Sequence, residues 1–266
     1  MTTNILELHE VKHRFSDSEW TLSVSRFSLG SGIITAVIGP NGSGKSTLMR
    51  IATGILIPLS GSVLLEGQPL TRLNRRSLAC RLGYLPQEIQ SQYDITVEDV
   101  AAMGRYPHLH RLGTLTGQDW NIVDECLKTT EMSDKRKRRL SQLSGGEKKR
   151  AFLASVLAQK PRVLILDEPA AALDIHHQIR FFNILRDLAR SGIAVAVVTH
   201  NMNFASLFGD TILFLSEGRP IAMGPPEEVL AKKRLQSVYG PEILVRKHPE
   251  SGRPIVLPSV PKTGKA

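Results

Sequence analysis

The chain has 266 residues, 41% of them apolar and 22% charged, with a formal net charge of +9. This composition suits one packed domain, or one domain carrying a small inserted lobe, and excludes a disordered chain. No apolar run approaches the ~18 residues needed to cross a bilayer, and residues 1–10 lack the basic and apolar segments of a signal peptide, so a cytoplasmic location is expected.

Residues 5–15 and 21–29 alternate and are rich in β-branched types, which predicts two strands. Residues 33–38 form an apolar run leading into a glycine-rich turn, and Leu48, Ile51 and Ala52 then recur at helical spacing up to Gly54. Further strands are expected at 62–65 and 82–85. From 97 to 139 the pattern is helical and polar, and a second helix should start near Ser144 and stop before Pro161. Residues 163–166 are a wholly apolar strand, followed twice by helix then strand: 175–190 before 194–198, and 202–208 before 211–215. The alternation predicts an α/β fold with a mostly parallel sheet. It is preceded by an antiparallel β part and interrupted by a helical lobe at about 87–158. The tail from about 240, rich in Pro, Gly and basic residues, is expected to be irregular. The whole chain reads as a single domain, 1–266.

Gly39-Pro40-Asn41-Gly42-Ser43-Gly44-Lys45-Ser46-Thr47 fits the phosphate-loop pattern of Gly, four residues, then Gly-Lys-Ser/Thr. Glycines let the backbone wrap so that successive N–H groups face phosphate oxygens, and the following helix adds the positive end of its dipole. Lys45 supplies a point charge for the β- and γ-phosphates, and the Ser46 hydroxyl a ligand for Mg2+. The apolar strand at 163–166 ends in Asp167 and Glu168. Asp167 is placed to hold Mg2+, and Glu168 to polarise an attacking water as general base. The motifs together describe a phosphate-loop nucleoside triphosphatase that uses Mg2+.

Leu143-Ser144-Gly145-Gly146-Glu147 lies between these two motifs and resembles the signature of ABC ATPases. The resemblance covers most of the chain and implies that it works as a head-to-tail dimer of two copies. Ser144, Gly145 and Gly146, at a helix N-terminus, would then meet the γ-phosphate of an ATP held by the other copy. It further implies that Gln87 contacts Mg2+ or the attacking water, that Asp174 lies on a loop crossing the dimer interface, and that His200 contacts the γ-phosphate. Phe15 stands where the family places an aromatic that stacks on adenine, with Trp20 nearby as an alternative. Two positions depart from the pattern: Ala170-Ala171 replaces Thr-Ser, and Lys149 replaces a common Gln.

Met103-Gly104-Arg105-Tyr106-Pro107 resembles a segment of ATPases serving iron-siderophore, haem and vitamin B12 importers, and the tail from His248 to Pro254 agrees. The resemblance implies docking on a membrane permease through this lobe, with Arg105 on the docking surface. A substrate-binding protein would be an indirect partner, and the chain would sit at the cytoplasmic face of the inner membrane. An ABC ATPase for another cargo, or a soluble one acting on nucleic acid, is the alternative. Basic residues do cluster at 134–150 and 232–266, each segment net +6, which suits nucleic acid, an anionic membrane or simply two solvated basic faces. No heptad run occurs and only about 100 residues separate Lys45 from Ser144, so nucleic acid is not expected as a partner. Cys80 and Cys126 have no metal-like spacing and read as reduced thiols.

Overall fold

The computed structural model describes residues 3–16, 19–89, 93–109, 113–171 and 173–259. In chain order the strands are β1 (Asn4–Arg14), β2 (Thr21–Gly30), β3 (Ile34–Ile38), β4 (Ser60–Leu65), β5 (Gln68–Pro69), β6 (Leu82–Leu85), β7 (Val163–Asp167), β8 (Ala194–Val198), β9 (Thr211–Ser216), β10 (Arg219–Gly224), β11 (Ile243–Lys247) and β12 (Pro254–Pro258). The α-helices are α1 (Lys45–Ala52), α2 (Arg75–Ala79), α3 (Val97–Met103), α4 (Gly117–Thr129), α5 (Gly145–Ala158), α6 (Ile175–Arg190), α7 (Met202–Phe208), α8 (Pro226–Val229) and α9 (Lys232–Tyr239).

The central sheet has the order β10-β9-β3-β8-β7-β6. All pairings in it are parallel except β9 with β10. Its inner strands are apolar without alternation because both faces are covered. On β7, Val163 and Ile165 join one core while Leu164 and Leu166 join the other. The first core lies beneath the antiparallel sheet β2-β1-β4-β5 and encloses α1 through Leu48, Met49, Ile51 and Ala52. The second receives α5 and α6 and continues into the helical lobe. This arrangement holds α1, and the loop before it, between two sheets.

α3, α4 and α5 pack on one another between β6 and β7. Thr96 and Thr116 start α3 and α4 with reciprocal capping boxes to Asp99 and Asp119. Arg105 is not on the lobe's surface. It is 6% exposed, its Nε donates to Asp119 Oδ1 at 2.9 Å, and its Nη1 donates to the Ala158 carbonyl at 2.6 Å. Beside it a Cβ on Gly104 would fall 1.9 Å from the Ser155 carbonyl oxygen. The Gly-Arg pair therefore serves the lobe's internal packing, which the linear pattern does not distinguish from a contact surface.

The tail is also more ordered than expected. β11 and β12 form an antiparallel hairpin that packs on α7. Asn203 accepts from the Val256 N–H at 2.7 Å and donates to its carbonyl at 3.2 Å, and Arg253 donates to the carbonyls of Ser206 and Gly209. Pro and Gly there mark the hairpin's ends rather than a loss of structure. Cys126 is buried and Cys80 half-buried, both free. No helix among the described residues is long and apolar enough to cross a membrane.

Candidate active site

The loop from Gly39 to Gly44 joins the fully buried β3 to α1. Gly39, Gly42 and Gly44 have φ of 152°, 75° and 98°, in the region that side chains disfavour. A Cβ on Gly39 would lie 2.1 Å from the Leu215 carbonyl oxygen, and one on Gly44 2.8 Å from the Trp20 ring. Lys45, 6% exposed, donates from Nζ to the carbonyls of Gly39 and Pro40, each at 2.9 Å. Burial lowers its pKa, opposed by the nearby Glu168 and Asp167. The ammonium is thus held at the loop's centre by bonds that phosphate oxygens can replace. Asn41 and Gly42 are exposed at the loop tip, whereas Ser43 is buried.

Asp167 closes β7 and is 2% exposed. Burial raises its pKa, and a hydrogen bond from Ser46 works against that rise. Its Oδ1 has no hydrogen-bond partner among the described residues. A buried, half-satisfied carboxylate beside a hydroxyl fits a hard divalent cation, which would remove the cost of burying the charge.

Glu168 follows with φ 48°. Its Oε2 accepts from Gln87 Nε2 at 3.0 Å, and its Oε1 lies 2.5 Å from His200 Nε2. Its N–H donates to the Val198 carbonyl at 3.2 Å. The three residues come from the ends of β6, β7 and β8, which lie side by side in the sheet.

One cleft of about 680 Å3 is lined by Phe15, Trp20, Asn41, Gly42, Gly44, Lys45, Ser46, Thr47, Gln87, Glu168 and His200. Phe15 is 45% exposed and meets His13 edge-on, with ring centres 4.9 Å apart. Both aromatics thus border the cleft, and Trp20 also packs on the loop. Ser144, Gly145, Gly146 and Asp174 do not line it. Ser144 caps α5, its Oγ accepting from the Glu147 N–H, while Glu147 accepts from the Ser144 N–H at 2.8 Å. The Ser144 hydroxyl accepts in that cap, so its proton is left to donate outward. Lys135 and the Ser144 N–H hold the Glu147 carboxyl down to about 2. Asp174 is exposed and caps α6 by accepting from the His177 N–H at 2.9 Å. A Cβ on Gly146 would reach 2.7 Å from Leu173 Cδ2, so the absence of a side chain there lets the Asp174 loop pack on α5.

Lys149 and Arg50 also approach the site. Lys149 donates from Nζ to the Glu168 carbonyl at 3.0 Å. Its departure from the usual Gln was visible, but nothing in the sequence placed it against β7's end. Arg50, on α1, hydrogen-bonds Tyr84 and draws the Asp167 pKa down; it carries no motif.

Residues 22–171 match the ABC transporter family profile. The hemin import ATP-binding protein of Thermobifida fusca is 40% identical over 86% of this chain and 80% of its own length. The ferric enterobactin transport ATP-binding protein of Escherichia coli is 33% identical over 97% of this chain and 96% of its own. Among solved structures, a metal-chelate type ABC transporter in an inward-facing conformation superposes with a TM-score of 0.84, covering 96% of this chain and 98% of that one at 24% identity, which agrees in fold. The matched segment runs through the phosphate loop, the Ser144 cap and the Asp167-Glu168 pair, and the chain belongs to the ABC transporter family as an ATP-binding, ATP-hydrolysing subunit.

Proposed function

We propose that this subunit powers import of an iron chelate, haem or corrinoid through a membrane permease, acting as a head-to-tail dimer at the cytoplasmic face of the inner membrane. The observation that carries the ATPase part is the Glu168 carboxylate, bracketed by Gln87 and His200 at the mouth of the Lys45 loop. Phe15 or Trp20 stacks on adenine, the loop from Gly39 to Thr47 wraps the phosphates, and Lys45 exchanges its two carbonyl partners for phosphate oxygens. Ser46, Asp167 and Gln87 would hold Mg2+, which would supply neutralisation of the phosphate charge. Glu168 releases Gln87 and His200 to accept a proton from the attacking water, and His200 turns to the γ-phosphate. The placement of Ser144 and Asp174 outside the cleft supports a site completed by a second copy, whose α5 N-terminus offers a hydroxyl and N–H groups.

Permease docking fits the junction of the two lobes. Ile55, Ile57 and Leu59 are 59%, 77% and 67% exposed beside an apolar groove of about 490 Å3 that reaches α2. Arg76 on α2 donates to the carbonyls of Pro107 and Leu109, so the groove adjoins the exposed Tyr106. The cargo class rests on the haem and ferric-siderophore relatives. Its test is uptake by vesicles that combine the subunit with a multi-span permease and substrate-binding protein from the same organism, offered ferric siderophore, haemin and cobalamin in parallel. ATP-dependent uptake of one of them, lost in Lys45→Ala, is expected; uptake of none would refute the import reading.

A further inference from the structure

Glu168 adopts a left-handed backbone conformation, φ 48°, that a side-chain-bearing residue keeps only when its surroundings fix it. On the reading of Glu168 as the base, the carboxylate must turn to the attacking water, so its contacts with Gln87 and His200 do not serve as a fixed anchor. The main chain must therefore be held independently. Its N–H is held by Val198 on β8. Among the described residues its carbonyl has two donors: the Ala171 N–H, at a long 3.4 Å, and Lys149 Nζ, at 3.0 Å. The Lys149 bond is the shorter and is charge-assisted. The ammonium is half-buried, where an unused donor would be costly; burial lowers its pKa, and the nearby Glu168 carboxylate partly restores it. Lys149 lies on α5, five residues beyond Ser144, so one helix carries both the signature cap and the grip on Glu168.

We infer that Lys149 is a positioning residue for hydrolysis, fixing Glu168 through its main-chain carbonyl and tying the signature helix to the general base of the same chain. It does not touch nucleotide; it sets where the Glu168 carboxylate points once Gln87 and His200 let go. The inference rests on the reading of Glu168 as the base.

The test is a double-substitution cycle read by single-turnover ATP hydrolysis of the full chain, with nucleotide affinity measured separately. Lys149→Met keeps the length and apolar stem but removes the donor. It is expected to slow hydrolysis roughly tenfold, since small misplacements of a reacting group are costly, while ATP affinity changes less than about twofold. In a Glu168→Gln background the same substitution should slow hydrolysis less than about twofold, because residues acting through one another are not additive. Lys149→Gln, which restores a neutral donor, should recover most of the rate. An equal loss from Lys149→Met in both backgrounds, a parallel loss of affinity, or no loss at all would overturn the positioning role. Glu168→Gln turning over at the parent rate would instead remove the base assignment beneath it.

Discussion

The Arg105 guanidinium lies 2.9 Å from Asp119 Oδ1 inside the helical lobe, with 7% and 11% of the two side chains exposed. The same guanidinium caps α5 at the Ala158 carbonyl, and the other oxygen of Asp119 caps α4 through Thr116. One ion pair thus joins the segment after α3 to the start of α4 and the end of α5. Arg105→Glu would set two carboxylates together in a closed space and free the Ala158 carbonyl. Breaking such a buried pair costs about 3–5 kcal/mol. The expected outcome is a lower unfolding midpoint and loss of ATPase together, measured by denaturant titration; a stable, ATPase-competent variant defective only in transport would return Arg105 to the docking surface.

Asp119 gives the lobe a definite response to acid. Hydrogen bonds from Thr116, then the ion pair with Arg105, hold its carboxyl down to about 2, against ~3.9 in an unfolded chain. The folded state binds this proton more weakly, so the stabilisation is complete above about pH 4 and lost as the pH falls towards about 2. Asp119→Asn should therefore be less stable than the parent at neutral pH, with the gap narrowing between about pH 4 and 2. Thermal midpoints measured across that range check it, and a gap that stays constant would contradict the assignment.

If the permease docks at the lobe junction, an exposed apolar residue there should matter for transport and little else. Ile57→Asp places a charge on a side chain that is 77% exposed, so its effect on stability should stay within about 0.5 kcal/mol. ATP affinity should be unchanged, and ATP-driven uptake in reconstituted vesicles should fall at least severalfold. Full uptake would move the docking surface elsewhere.

What the sequence discloses here follows from how local each signal is. β3, the phosphate loop and α1 are contiguous, so their residues announce strand, turn and helix in one stretch, and the structure keeps them together. Asp167 and Glu168 are readable because an apolar strand ends on them. The sequence does not reveal where Arg105 lies, because its burial depends on the distant Asp119 and Ala158, and the Gly-Arg pair looks the same inside or outside a lobe. The hairpin of β11 and β12 was missed because its strands are short and partly exposed, held by Asn203 and Arg253 on other elements. Lys149's contact with Glu168 spans two elements and has no periodicity to reveal it.

The composite site can be tested by chemical crosslinking. Ser43 is buried, so a cysteine there would be poorly accessible; Asn41, exposed at the loop tip, is the better position. With Cys80→Ser to remove the half-buried native thiol, Asn41→Cys and Ser144→Cys should bridge two chains when ATP and Mg2+ are present. Non-reducing electrophoresis should show the dimer only with nucleotide. A bridge within one chain would contradict head-to-tail assembly.

The strongest test of the chemistry is Glu168→Gln. The amide keeps the shape and one acceptor but cannot take up the water's proton, and removing a general base costs ~10²–10⁴-fold in rate. Lys45, Ser46 and Asp167 are untouched, so ATP should still bind. If the γ-phosphate is gripped by Lys45 of one copy and Ser144 of the other, unhydrolysed ATP should hold the pair closed. The variant is therefore expected to hydrolyse ATP at a small fraction of the parent rate. It should run as a dimer in size-exclusion chromatography with ATP and Mg2+, and as a monomer without them. A fast variant would move the base elsewhere, with His200, 2.5 Å from the carboxylate, the next candidate. A slow variant that stays monomeric at saturating ATP would leave Glu168 as the base but count against a sandwich stable without the permease.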